Sequence, residues 1–281
     1  VKKVAVISLK DIFDYGFVKT VICAFNFVNL EQLYGIVAGA EEIQTPVVLM
    51  ISQKTALKYG LEEMFYLAKS KVEKLQTPFV IHLDHAKNID LVEKAIDLGF
   101  SSVMFDGSSL TFDENIKKTY EVVKKAHRYG ITVEGEINAI YGKEEDGTPN
   151  AIVYTKVEDA KKFSEETEVD FLAVSVGTKH GLYEGTPSLR YDLISEISNS
   201  IKSKLVLHGC SGLTAEQLRK SIQSGIKKLN FGTEVMVTQI NAIKKSLSSL
   251  SKPDIRPVMD SSIEEIKVYV KNTINSICIS Q

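Results

Sequence analysis

The chain has 281 residues, of which 44% are hydrophobic and 25% charged, with a formal net charge of -2 and a pI near 6.3. These values predict a soluble globular protein with a substantial core and give no basis for a nucleic-acid or anionic-membrane partner. Three cysteines, Cys23, Cys210 and Cys278, lack metal-type spacing, so a reducing cytoplasmic setting is expected.

In chain order, the first stretch, "VKKVAVISLK", joins basic residues to a short apolar run. Lys10 and Asp11 cut that run short and no small-residue cleavage pattern follows, so a signal peptide is not expected. No apolar run approaches the ~20 residues needed to span a bilayer. Short β-rich runs then recur: "VICAFN" (21–26), "VVLMIS" (47–52), "FVIHLD" (79–84), "SVMFDG" (102–107), "TVEGEI" (132–137), "FLAVSVG" (171–177), "KLVLHG" (204–209) and "KKLNFG" (227–232). Helical spacing fills the intervals. In "NIKKTYEVVKKAHRYG", for example, Ile116, Tyr120, Val123 and His127 share a face and Gly130 supplies a stop. Strands apolar throughout and alternating with helices indicate a parallel sheet covered on both faces. Eight such units suit a (β/α)8 TIM barrel in a single domain over residues 1–281. A doubly wound open sheet, which more often has fewer strands, is the alternative. After Pro253, "SSIEEIKVYVKNTI" reads as an additional C-terminal amphipathic helix.

Polar residues or glycines close six of the eight runs: Asn26, Asp84–His85, Asp106–Gly107, Glu136, His208–Gly209 and Asn230. A barrel gathers all C-terminal strand ends at one mouth, so these groups are expected to converge. His85, His180 and His208 each follow a different strand and together suit zinc with an open coordination position. His127 is read as complementing a helix C-terminus, and His82, two residues before Asp84 on the same face of a regular strand, as supporting or packing. Asp84 is expensive to bury unpartnered and serves as an acid/base group, a metal-orienting group or a solvated strand end. Glu134 and Glu136 face one way and repel unless a cation or donor offsets them. The loop "NAIYGKEEDGTPN" is read as a lid carrying an acid. "HGCSGLTAEQ" has a small-residue turn before a capping box at Thr214 and Gln217, suited to phosphate.

These motifs, "FVIHLDHA", "VEGEI", "SVGTKHGLY", "LVLHGCSGL" and "LNFGTE", together with "AFNFVNLEQL", resemble in order and spacing the class II (zinc-dependent) ketose-bisphosphate aldolases. The similarity is greatest to the tagatose-/fructose-bisphosphate aldolase branch and covers nearly the whole chain. The resemblance implies reversible cleavage of fructose-1,6-bisphosphate or tagatose-1,6-bisphosphate to dihydroxyacetone phosphate and glyceraldehyde 3-phosphate, in carbohydrate metabolism. It implies Zn2+ on His85, His180 and His208, with Glu136 as an alternative ligand. Asp84 would be the acid/base at the aldol hydroxyl and Glu144 the loop acid exchanging a proton with carbon. Gly181, Gly209, Ser211, Asn230 and Thr233 would bind phosphate, with Asn26 and Ser52 among the substrate contacts. It further implies a monovalent cation (Na+ or K+) and a homodimer or homotetramer. Asn138 and Tyr141 stand where the family usually has glycine, which bears on loop closure and leaves Glu144 and Glu145 both open. Gly232 replaces a polar residue of some fructose-specific relatives, so the sugar epimer stays open.

Four other readings compete. One is an aldolase of the same family acting on another phosphorylated ketose or a deoxy-sugar acid. Another is a Schiff-base aldolase using Lys179 or Lys228. A zinc hydrolase on the same barrel is the third, and a non-catalytic sugar-phosphate binder the fourth.

Overall fold

The structure, a computed structural model, describes residues 5–138, 141–142, 153–181, 183, 185, 187–248 and 250–278; of 141, 142 and 278 it describes the backbone alone. Eight parallel strands close into a barrel: β1 (Ile22–Asn26), β2 (Val47–Ser52), β3 (Phe79–Ala86), β4 (Ser102–Phe105), β5 (Thr132–Ile137), β7 (Phe171–Val174), β9 (Lys204–Leu207) and β10 (Ile226–Phe231). Two short strands, β6 (Tyr141–Gly142) and β8 (Lys179–His180), pair outside it. Around the ring the order is β1, β2, β3, β4, β5, β7, β9, β10. The TIM barrel expected from alternating apolar runs and helical spacing is therefore the observed architecture.

The strands form because they are buried on both faces. Val47–Ile51 of β2 and Phe79–Leu83 of β3 have essentially no exposed surface. One set of side chains, including Ile22, Val48, Val80 and Val206, fills the barrel interior. Leu9 and Ile12 of α1 (Leu9–Asp14) join it at the N-terminal end of the strands, where Lys10 N donates to Thr132 Oγ1 at 3.0 Å. The opposite set packs under the surrounding helices: α2 (Leu30–Glu42), α3 (Gln53–Tyr59), α4 (Leu61–Val72), α5 (Ile89–Leu98), α6 (Phe112–His127), α7 (Val157–Thr167), α8 (Tyr191–Ser200), α9 (Ala215–Gln223), α10 (Thr233–Leu247) and α11 (Arg256–Cys278). Local chemistry sets many of their starts. Asn29, Ser52, Asn88, Thr111 and Thr214 each accept a first-turn backbone N–H, and Thr214 forms the expected capping box with Gln217.

The C-terminal helix α11 is longer than the motif that announced it, and it lies against α2. A Cβ at Gly35 would come within 2.7 Å of Ile266, so glycine there permits the close approach. Helix α6 corrects the face expected for it. Ile116 and Val123 are buried, but Tyr120 is 44% exposed and the buried arc runs instead through Asn115, Thr119, Val122 and Ala126. Asn115 and Thr119 satisfy one another (2.9 Å), and Asn115 Nδ2 donates to the Glu136 carbonyl at 2.8 Å. Among the described residues no helix is long and apolar enough to cross a membrane.

Candidate active site

The C-terminal strand ends surround a cavity of about 320 Å³. Its wall includes Asn26, Ser52, Asp84 and His85 from the β1–β3 side, then His180, Gly181, His208, Gly209 and Ser211 from the β7–β9 side. Asn230 and Thr233 complete it. Eleven of the thirteen sequence-derived site residues thus share one cavity wall, although they are dispersed over residues 26–233. Glu136 lies just behind the wall, and Glu144 falls outside the described residues, as does Glu145. The β6–β8 pairing sets Gly142 against His180, so the segment leading to Glu144 begins beside that histidine. Asn138, at one of the positions where the resemblance leads one to expect glycine, has φ 60°, a left-handed conformation that asparagine tolerates better than most residues.

A break in β3 explains why Asp84 and His85 both reach the mouth. In a regular strand, neighbours point to opposite faces. Here Leu83 pairs with Val103 and Ala86 with Phe105, so Asp84 and His85 together oppose Met104 alone. His85 takes φ 48°, as a bulged residue does, and its N–H is turned onto Met104 Sδ at 3.4 Å. The strand therefore continues two residues past the boundary expected from sequence. The register change re-aims both functional side chains.

His208 Nδ1 lies 2.7 Å from His85 Nε2, and the His180 ring is centred 5.0 Å from that of His85 and 5.9 Å from that of His208. One nitrogen from each lies within 4.8 Å of the others. His208 Nε2 donates to Glu134 Oε1 at 2.8 Å, which leaves its Nδ1 lone pair facing the cluster. Burial above all, then the neighbouring His85, pushes the His208 pKa well below its ordinary value, so the imidazole is neutral as a ligand requires. Three imidazoles converging from the ends of different strands, with carboxylates beside His85 and His208, fit a divalent metal of the zinc type. A second set, His85, Asp106 and Glu136, is equally close; His85 Nδ1 is 3.7 Å from Asp106 and 3.6 Å from Glu136.

The two glutamates of β5 part company. Glu134 is fully buried and forms a 2.7 Å ion pair with Lys228, so its charge is offset inside the protein while its other oxygen accepts from His208. Glu136 faces His85. Lys228 is thereby committed to Glu134 and is withdrawn as a Schiff-base nucleophile. His82 supports, as expected: its Nδ1 meets Ser102 Oγ at 2.8 Å, and burial followed by Lys228 pushes its pKa well below the usual range.

Asp84 is 3% exposed and is fixed by Asn26, whose Nδ2 donates to Oδ2 at 2.9 Å. Its Oδ1 is buried with no hydrogen-bond partner among the described residues. A carboxylate oxygen held this way is set up to take a proton from a bound ligand. Ser52 also caps α3, so its hydroxyl serves local structure as well as lining the cavity.

At the small-residue turn, Gly209 has φ 66°, and a Cβ there would collide with the Lys179 carbonyl oxygen. Tyr183 joins the two loops, accepting from Lys179 N at 3.0 Å and donating to the Gly209 carbonyl at 2.7 Å. Not all of the turn is open to an anion. Cys210 N donates to the Asn230 carbonyl, and Gly212 N to Glu234 Oε1 at 3.0 Å. Glu234 in turn accepts from Tyr269 of α11 at 2.7 Å, tying the extra helix to the site.

Sequence reasoning brought Asp106 to the mouth without giving it a role, named Lys228 only as a possible Schiff-base nucleophile, and left Tyr183 out. Asp106 carried a usable signal, since it ends a strand run as Asp84 does. Burial opposes its ionisation, yet His85 and Ser108 outweigh that and hold its carboxyl below the usual range.

The family model described as fructose-bisphosphate aldolase class-II matches residues 8–281. A sulfofructosephosphate aldolase of Alkalicoccus urumqiensis is 40% identical over 226 residues, 80% of this chain and 79% of that protein. A 6-phospho-5-dehydro-2-deoxy-D-gluconate aldolase of Shouchella clausii is 40% identical over 228 residues, 80% of this chain and 77% of the relative. A probable fructose-bisphosphate aldolase of Bacillus subtilis is 36% identical over 234 residues, 82% and 81% respectively. Among solved structures, the YdjI aldolase of Escherichia coli K12 superposes with a TM-score of 0.86 at 27% identity, covering 97% of each chain.

Proposed function

The chain belongs to the class II fructose-bisphosphate aldolase family, whose members are lyases, and from that premise we propose that it cleaves a phosphorylated ketose bearing a second anionic group at its far end. Fructose-1,6-bisphosphate and tagatose-1,6-bisphosphate are the first candidates. The relatives named for sulfofructosephosphate and for a phosphorylated deoxygluconate extend the set to sulfonate and carboxylate ends. The observation that carries the reading is the buried Oδ1 of Asp84, without a hydrogen-bond partner among the described residues, in the same cavity as the three-histidine cluster.

His85, His180 and His208 would hold zinc, with Glu136 within reach of His85 as an alternative ligand. When bound, zinc supplies Lewis-acid stabilisation of the negative charge that carbon–carbon cleavage leaves on the ketone half. Asp84 takes the proton from the aldol hydroxyl, while Asn26 fixes its other oxygen. Glu144 returns a proton to carbon. Gly181, Gly209, Ser211, Asn230 and Thr233 hold the phosphate of the ketone half, with Ser52 nearby. The same reading carries a monovalent cation near that phosphate, a cytoplasmic homodimer or homotetramer and a single functional domain.

The test is coupled cleavage of fructose-1,6-bisphosphate and tagatose-1,6-bisphosphate with and without a chelator. Cleavage is expected to vanish on chelation and return with zinc. Full activity in verified metal-free protein, or a borohydride-trapped covalent adduct, overturns the reading.

A further inference from the structure

We propose that Lys54 and Lys87 form the subsite for the far anionic group of the substrate, the group that departs on the aldehyde product. The inference rests on the aldolase reading above and names what that site selects.

The argument is one of placement. Lys54 is the second residue of α3, just past β2, and Lys87 is the first residue past β3; both line the cavity. Their strands are adjacent, with Ser52 paired to Asp84. Gln53 Oε1 accepts from Lys87 N at 2.9 Å and from Asn88 N at 3.1 Å, so one side chain pins the two loops together. In the ring order, β2 and β3 stand four places from β7 and β9, directly across the mouth. The small-residue turn, with Gly181, Gly209 and Ser211, leaves the β7 and β9 side.

A ligand with one phosphate at that turn and its reacting carbons over His85 and Asp84 therefore points its other end toward the two lysines. Among the described lining residues the β10 side offers Gly232, Thr233 and Met236, which carry no charge. Both side chains carry positive charge, which suits the Lys54–Lys87 wall to an anion. Ammonium groups act as point charges and accept phosphate, sulfonate or carboxylate without requiring a planar bidentate partner.

Binding is measured by calorimetry on zinc-loaded protein carrying Asp84→Asn to stop turnover. The ligands are fructose-1,6-bisphosphate, 6-deoxy-6-sulfofructose 1-phosphate and 6-phospho-5-dehydro-2-deoxygluconate, compared with fructose 1-phosphate, which lacks the far anion. The parent is expected to prefer at least one doubly anionic ligand, and the strongest preference assigns phosphate, sulfonate or carboxylate. Lys87→Gln and Lys54→Gln should each cut that preference ratio about 10- to 100-fold, the range for losing a charged hydrogen bond. Lys87→Arg should retain most of it. An unchanged ratio in the Lys54→Gln/Lys87→Gln double variant, or no preference in the parent, overturns the proposal. If the preference collapses as expected yet Asp84-intact protein cleaves none of the ligands, the aldolase reading fails and the subsite stands.

Discussion

Lys228 and Glu134 face one another at 2.7 Å with neither side chain exposed, and Glu134 also orients His208. Removing one partner of a buried pair strands the other charge, which costs about 3–5 kcal/mol. Lys228→Met should therefore destabilise the protein by about that amount in denaturant unfolding, and the Lys228→Met/Glu134→Gln double variant should recover most of the loss. Equal losses in the two variants would contradict the account. At this scale the chain was legible where residue type is rare and clustered: Asp84–His85 and His208 close buried-looking runs, which seldom end that way, and His180 follows a third strand. Lys228 was legible only as a possible Schiff-base nucleophile, because its structural role depends on a partner 94 positions away that "KKLNF" does not reveal.

Helix α6 ends on His127, whose Nε2 donates to Asp170 Oδ2 at 2.9 Å, while the same carboxylate oxygen accepts from Val133 N. The contact ties the helix to the starts of β5 and β7, a partner that the helix-dipole reading of His127 lacked. The Asp170 hydrogen bond, opposed by partial burial, raises the His127 pKa above its ordinary value; Lys10 and Glu168 act in opposite senses nearby. A raised folded-state pKa gives stability that is complete below the unfolded value of about 6.5 and is lost as pH rises through the folded value. The stability gap between wild type and His127→Gln should thus be largest below about pH 6 and close at higher pH, staying under about 1 kcal/mol for so exposed a pair. A gap independent of pH between 5 and 9 would refute this. The rotation of the buried arc on α6 has a related cause. Asn115 and Thr119 are buried because tertiary partners satisfy them, and apolar spacing cannot register a polar residue whose hydrogen bonds are made elsewhere.

Closing the barrel brings His85 from β3, His180 from β8 and His208 from the end of β9 into one cluster, so the candidate metal ties together segments 123 residues apart. An ion that binds only the folded barrel stabilises it by about 2.7 kcal/mol at a hundredfold excess over its dissociation constant. Zinc added to chelator-stripped protein should raise the thermal midpoint, and His85→Ala, His180→Ala and His208→Ala should each abolish most of the rise. An unchanged wild-type midpoint would sink the three-histidine assignment. The strand count, the parallel alternation with helices, the helix caps and the residue types at the mouth were all set by local sequence, because periodicity and capping act over a few residues. The bulge that turns Asp84 and His85 to the same side, the division of Glu134 from Glu136, the Tyr183 clip on Gly209 and the placement of Lys54 and Lys87 across from the turn were decided only by the closed barrel. Each depends on which distant strand supplies the neighbour, and that is fixed by ring order and register, which no local pattern encodes.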